Sequence, residues 1–313
     1  VFKDFLKTKT TVLRLPILLK DVICRCDNIK MVFNGVNMTI LEETRELVQE
    51  KIGRDYEALV VEKAVIGLFF TTVKLSNGVG GICYTPAKEI PAAVCCPSSA
   101  GRIFNPEHLN GMPVSEALSG LSSDEPIKTA LSIAVLNALS TLCRQKGMAG
   151  DYKILTKTDA QDAVPMPKEK SVAVVGAFVP TLQALKARGG TWWVIEKNPE
   201  TLLPEEMPHY VPADQSPEVI GQADILVITG VTLINHTLEG ILSAARPDAD
   251  IAVMGPTAGG LPDPLFDRGV RVVGGVEVTH PDKLLEIVSL GGSGYHFLDR
   301  YADRIVTLNH SAV

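Results

Sequence analysis

The chain has 313 residues, enough for two domains of ordinary size. Apolar residues make up 46% and charged residues 21%, which favours a folded core over disorder. The net charge of −6 and the lack of a Lys/Arg-rich run argue against nucleic acid as a partner.

Val1 to Lys30 mixes basic and apolar residues without a sustained period, and Val12 to Leu19 makes a poor signal peptide. Residues 1–30 are therefore expected to be a leader that is non-native or disordered, with Met31 as the natural start. Ile40 to Ile52 spaces its apolar residues as an amphipathic helix and stops at Gly53. Ala58 to Ile66 and Leu68 to Leu75 read as strands. Asn77-Gly78 reads as a hairpin turn because both residues tolerate positive φ, and Val79 to Tyr84 as the return strand.

Ala87 to Asp124 is rich in Pro, Ser and Gly. Pro126 then opens a helix that runs to Gln145 and closes at Gly147. Its apolar stretch from Ile127 to Leu142 is interrupted by Lys128, Thr129, Ser132, Asn137, Ser140 and Thr141, which marks a helix of a protein core and not of a membrane. Residues 151–170 are linker-like, so the domains are expected at residues 31–150 and 171–313.

Beyond the linker, apolar runs at Val172–Val175, Trp192–Ile195, Ile225–Ile228, Ile251–Met254 and Val270–Val273 alternate with helical stretches at Leu182–Ala187, Leu238–Ala245 and Lys283–Leu290. Continuous apolar strands joined by crossovers predict an α/β fold, a Rossmann-like parallel sheet covered on both faces.

Such sheets bind ligands beyond the carboxyl ends of their strands. The first loop there carries Gly176, but Phe178 and Thr181 stand where a dinucleotide fingerprint needs glycines, so a standard nicotinamide site is not expected. Glu196 follows Gly176 by 20 residues and closes the next strand. It is a candidate for ribose hydroxyls, or simply a solvent-facing carboxylate. Gly230, Thr232, Asn235 and Thr237 form a polar loop before a helix and are candidates to bind an anion. Helix capping accounts for one of the three polar side chains more easily than for all of them. His236 reads as a surface residue. Gly255 and Thr257 head a Gly-rich loop without the lysine of a P-loop, which reads as a backbone-lined pocket wall or as a plain turn, and the loop at Gly274-Gly275 has the same two readings.

Metal chemistry has little local support. No CxxC and no zinc-spaced His pair occurs, and Cys95-Cys96 are adjacent, which makes shared ligation awkward. Cys24, Cys26, Cys83, Cys95, Cys96, Cys143 and His108 carry no ligand spacing. Sparse cysteines of this kind suit reduced thiols in the cytoplasm. Ser98-Ser99 belong to no readable catalytic set.

Several stretches taken in order resemble the bacterial and archaeal heavy-metal chelation family, formerly domains of unknown function. They are Ala64-Val65-Ile66-Gly67 with Val79-Gly80-Gly81, Ala134-Val135-Leu136-Asn137-Ala138-Leu139, the loop Gly230 to Thr237, and Gly255-Pro256-Thr257 followed by Leu265-Phe266. Gly269-Val270 and Gly274-Gly275-Val276 complete the set. The resemblance implies a small α+β, enolase N-terminal-like domain followed by the Rossmann-like domain, with a ligand cleft between them. It also implies heavy-metal handling, with a suggested link to corrinoid synthesis. It implies no enolase activity, because the catalytic barrel is absent.

The leading expectation is a small-ligand-binding protein that chelates or delivers a heavy metal, its ligand being a divalent metal or a metal-bearing molecule. Cys83 and Tyr84 would face the cleft from the first domain. The alternatives are a transferase-like enzyme using a nucleoside-containing substrate or cofactor, and a non-catalytic scaffold. No membrane partner is expected. A second subunit could complete the cleft, which admits a homo-oligomer.

Overall fold

The computed structural model describes residues 38–89 and 105–309. The expected leader, the start at Met31, Cys24, Cys26, Cys95, Cys96 and Ser98-Ser99 lie outside these residues.

Helix α1 (Ile40–Ile52) is set by its ends. Thr39 Oγ1 accepts the Glu42 N–H and Glu42 Oε2 accepts the Thr39 N–H, a reciprocal capping box. Gly53, at φ +64°, stops it as expected. Strands β1 (Val61–Ile66), β2 (Phe70–Leu75) and β3 (Gly80–Tyr84) form an antiparallel meander. The β2–β3 hairpin turns at Asn77-Gly78 as expected. Gly78 takes φ +83° but Asn77 is not in the left-handed region, and the Leu75 N–H reaches Val79 O across the loop. A longer hairpin loop needs one glycine in the left-handed region, whereas a two-residue turn would need two such residues.

Helix α2 (Val114–Ala117) precedes the long α3 (Pro126–Gln145). Among the described residues α3 is the one helix long and apolar enough to cross a membrane, and 89% of its apolar window is buried within the protein. It lies against β3 so closely that a Cβ on Gly81 would stand 2.0 Å from Ala134 O.

The stretch expected as a linker contains β4 (Lys153–Thr156), which joins the sheet through β11 (Ala302–Leu308). Between them come β5 (Val172–Val175), β6 (Trp192–Glu196), β7 (Tyr210–Pro212), β8 (Ile225–Thr229), β9 (Asp250–Met254) and β10 (Val270–Val278). These six are parallel in the order β7-β6-β5-β8-β9-β10. Numbered from β5, that is 3-2-1-4-5-6, the order of the Rossmann sheet. Its helices are α4 (Val179–Arg188), α5 (Ser216–Ile220), α6 (Val231–Ile234), α7 (Leu238–Ala244), α8 (Asp263–Phe266), α9 (Pro281–Ser289) and α10 (Gly294–Phe297).

Both faces of the parallel strands are buried. Ala173, Val175, Leu226 and Ile228 point into one core, and Val172, Val174, Ile225 and Val227 into the other. The first core also holds Ile40, Val48, Leu136 and Leu139 from α1 and α3. The sheet is continuous as well, because β10 pairs β9 with its first half and meets β3 at Val278 opposite Gly80. The mixed α/β fold thus joins the antiparallel meander to the parallel sheet through one strand.

Candidate functional site

The chain leaves β5 outward to β6 and β7, then returns to β8 on the other side. Loops after β5 and β8 therefore diverge and open a crevice at their carboxyl ends. Gly176 and Gly230 head these loops. Gly176 sits at φ +98°, and a Cβ there would lie 2.9 Å from Thr229 Cγ2. A Cβ on Gly230 would lie 3.0 Å from Ala258 N and 3.2 Å from Thr257 Cβ. Both glycines are needed where neighbouring loops press together.

Glu196 ends β6 beside this crevice, and the backbone occupies its carboxylate. Oε2 accepts the Ala177 N–H at 3.1 Å; Oε1 accepts those of Lys197 at 2.8 Å and Asn198 at 3.3 Å. It holds the first glycine turn in shape. Tyr84, at the end of β3, comes near Glu196 from the meander. Burial raises its phenol pKa first, and the negative charges of Glu89 and Glu196 raise it further. Lys197 Nζ stands 3.9 Å from Glu89 Oε1, so a cation also crosses between the two halves.

The polar residues of the next loop serve its own backbone. Thr232 is buried, and its Oγ1 donates to Thr229 O at 2.6 Å. Asn235 Oδ1 accepts the Thr237 N–H at 3.3 Å and the Thr237 hydroxyl at 2.6 Å. His236, at φ +55°, places Nε2 3.2 Å from Ser123 O, just ahead of α3. Asn137, which touches Thr257, is eleven residues into α3, about 16 Å along the helix from its start. The loop thus leads away from the crevice as it runs from Gly230 to Thr237.

The Gly255 loop has a different use. Gly255 takes φ +121° and its N–H donates to Gly274 O. Thr257 Oγ1 accepts the Tyr84 N–H at 3.2 Å and lies 3.7 Å from Cys83 Sγ. Asn137 Nδ2 donates to Ile82 O at 2.8 Å and to Pro256 O and Thr257 O at 3.2 Å each. Ser140 Oγ accepts the Leu261 N–H, and Arg144 Nη2 donates to Gly259 O while its Nε pairs with Glu277. The loop is a docking strip for α3. Gly275 belongs to the same contact, since its Cβ would lie 2.9 Å from Gly259 Cα.

Sequence reasoning singled out Thr257 and Gly275 as pocket walls and passed over Asn137, Ser140 and Arg144. The signal was present: polar residues at helical spacing on one side of an otherwise apolar helix. Cys83 is fully buried, and its thiol is pushed up to about 12 by that burial, so it is a packing residue with an inert thiol. Among the described residues no group of three or more His, Cys, Asp or Glu could hold a metal ion. The described residues around the crevice offer main chain and the Glu196 carboxylate, with the Tyr84 phenol and the Lys197–Glu89 pair nearby.

Two family models match the chain, at residues 49–140 and 159–307, and both carry the description "Putative heavy-metal chelation". An uncharacterised protein of Methanocaldococcus jannaschii is 24% identical over 189 residues, which is 59% of this chain and 68% of that protein. A crystal structure of a DUF364-family protein of unknown function from Pyrococcus horikoshii superposes with a TM-score of 0.67 at 21% identity, covering 86% of this chain and 99% of the other. A second, from Desulfitobacterium hafniense, gives 0.63 at 20% identity, covering 86% and 98%. At these identities the two structures bear on the fold alone. The matched segments meet along the strip between α3 and the Gly255 loop, and together they span most of the chain. The chain belongs to the heavy-metal chelation family.

Proposed function

We propose that the protein binds a small metal-bearing ligand in the crevice between Gly176, Gly230 and Tyr84, and acts in metal chelation or delivery. The carrying observation is the strand order, which sets the β5 and β8 loops at the point of divergence, with Glu196 beside them and Tyr84 near Glu196. Family membership supports metal as the cargo. The described residues around the crevice suit a ligand that brings its own metal donors, a corrinoid-type chelate for example, better than a bare ion. We place this activity in the cytoplasm.

A nucleoside-containing ligand is the second reading. It is favoured by the Rossmann order and by an acid at the end of β6. Against it, Glu196 already accepts three backbone N–H groups.

A thermal-shift series with free divalent metals, corrinoids and adenine nucleotides separates these readings, because stabilisation grows with ligand concentration over its dissociation constant. Stabilisation by corrinoid and not by nucleotide is expected. Stabilisation by the bare ion would transfer the metal to protein side chains. A nucleotide response lost in Glu196→Gln would favour the second reading, and no response to any of the three would favour a scaffold.

A further inference from the structure

The turn between β1 and β2, the end of α9 and the short α10 meet in one place. A Cβ on Gly67 would stand 2.6 Å from Val288 Cγ1, which sets the turn against the last residues of α9. The Phe70 ring meets the Phe297 ring edge-on with centroids 5.1 Å apart, which sets the same turn against α10. Phe70, Val288 and Phe297 pack into the core between the meander and α9. Four large apolar side chains beside them point away from that core: Leu68 is 61% exposed, Phe69 42%, Leu290 78% and Tyr295 96%. β1 is the last strand on this side of the sheet, and the Thr85 N–H donates to Phe69 O at 2.9 Å, so the patch begins beside the end of β3.

A single exposed leucine is ordinary, whereas a group of exposed apolar side chains marks a contact surface. Taking about 200 Å² for a whole aromatic side chain and somewhat less for leucine, the four expose roughly 500 Å². A standard interface takes about 800 Å² from each partner, about 60% of it apolar, which is the same amount.

Charge selects the partner. The turn Gly67–Phe70 and α10 carry no Asp, Glu, Lys or Arg. The charges of α9 are paired within the chain, Lys283 with Glu286 at 3.0 Å and Asp282 with Lys74 at 3.1 Å. Arg300 stands exposed just past α10, but an anionic membrane surface is recognised by clusters of several basic residues. A charged peptide would find equally little to pair with. An identical apolar surface needs no opposite charge, and a two-fold axis lays the patch on its own copy.

We propose that this patch is the interface of a homodimer, built about a two-fold axis from Leu68, Phe69, Leu290 and Tyr295 of each copy. Tyr295 is its anchor, being the most exposed of the four and of a residue type that carries a large share of interface energy. The dimer does not depend on what the crevice binds.

The test is sedimentation velocity of the full chain from about 1 to about 100 μM, the weak end of the affinity range for interfaces of this size. A species of twice the 33.6 kDa chain mass is expected to form in this range or below it. Tyr295→Asp and Leu290→Asp should each raise the dimer dissociation constant by about thirtyfold or more. Both side chains are too exposed for the core to depend on them. Leu203→Asp, at an exposed leucine elsewhere, should leave the dimer unchanged. A single species of chain mass at every concentration, or a dimer unmoved by Tyr295→Asp and Leu290→Asp, would overturn the proposal. So would a monomer that floats with phosphatidylcholine–phosphatidylserine vesicles and loses them in Tyr295→Asp, which would give the patch to a lipid surface. The concentration series uses the unaltered protein and stands whether or not the variants fold.

Discussion

Asn137 and Thr257 form the joint of this molecule. The Asn137 amide donates to Thr257 O at 3.2 Å, while Thr257 Oγ1 accepts the Tyr84 N–H at the same distance. One side chain on α3 and one on the Gly255 loop thus tie helix, meander and parallel sheet together beside the crevice. The end of β3 at Tyr84 is held in place by that tie.

Removing the Asn137 amide leaves the carbonyls of Ile82, Pro256 and Thr257 without their shared donor in a buried place. Asn137→Ala should cost about 3 kcal/mol, read as a lower urea midpoint with unchanged slope. Asn137→Asp should cost more at neutral pH, because it sets a carboxylate against carbonyl oxygens. Part of that loss should return in acid, where the protonated carboxyl regains a donor. Equal stability of the Asp variant at both pH values would refute this account.

Gly81 is needed for close approach, not for an unusual backbone angle. A Cβ would meet Ala134 O at 2.0 Å and Ala138 N at 2.7 Å, both main-chain atoms that cannot swing aside. Gly81→Ala should separate α3 from β3 and cost about 3 kcal/mol or more. Gly53→Ala, where a Cβ would meet nothing within 4 Å, should cost only the strain of positive φ, about 1 kcal/mol. Calorimetric melting of the two variants checks the order.

Asp263 carries a buried oxygen, Oδ2, with no hydrogen-bond partner. Burial holds its carboxyl pKa above the ordinary aspartate value, Asp267 adds to that, and Lys51 opposes it. The folded chain therefore keeps this proton to higher pH than the unfolded chain. Stability contributed by the group is present at low pH and falls as pH rises through the window between the two values. Asp263→Asn removes the penalty. Its stability relative to the parent should improve as pH rises from the ordinary aspartate range upward, and denaturant titrations in acid and at neutral pH measure the change.

Cys83 and Cys143 should resist alkylation in the folded protein. Both are buried, and burial raises both thiol pKa values, that of Cys83 to about 12. Iodoacetamide at mildly alkaline pH attacks the thiolate, so neither should be modified until denaturant is added. Peptide mapping by mass spectrometry assigns the sites. Rapid labelling of Cys83 in the native state would show the meander opening from Thr257.

Strand and helix positions in the parallel part were legible because burial on both faces leaves continuous apolar runs. Val172–Val175 was delimited to the residue, and Trp192 and Ile225 were placed at their strand starts. β11 was not legible. Asp303 and Arg304 interrupt its apolar pattern, and its partners β10 and β4 lie far away in sequence. β4 was hidden in the same way, as a mostly exposed strand within a proline- and charge-rich stretch.

The candidate site divides along similar lines. Gly176, Glu196 and Gly230 were found because each stands at a strand end, a position that periodicity alone identifies. The partner of each polar group was beyond such reasoning. Glu196 turns to the Ala177 N–H, Thr232 to Thr229 O, and Asn137 to a loop about 120 residues away. By itself the sequence determined the α/β class, the order of elements and the glycines at which the chain must turn, since these follow from local pattern and sterics. Tertiary structure alone decided that β10 would carry the meander, that the Gly255 loop would dock α3, and that Tyr84 would come near Glu196. Those contacts join residues distant in the chain, and their hydrogen bonds and desolvation exist only once the surfaces meet.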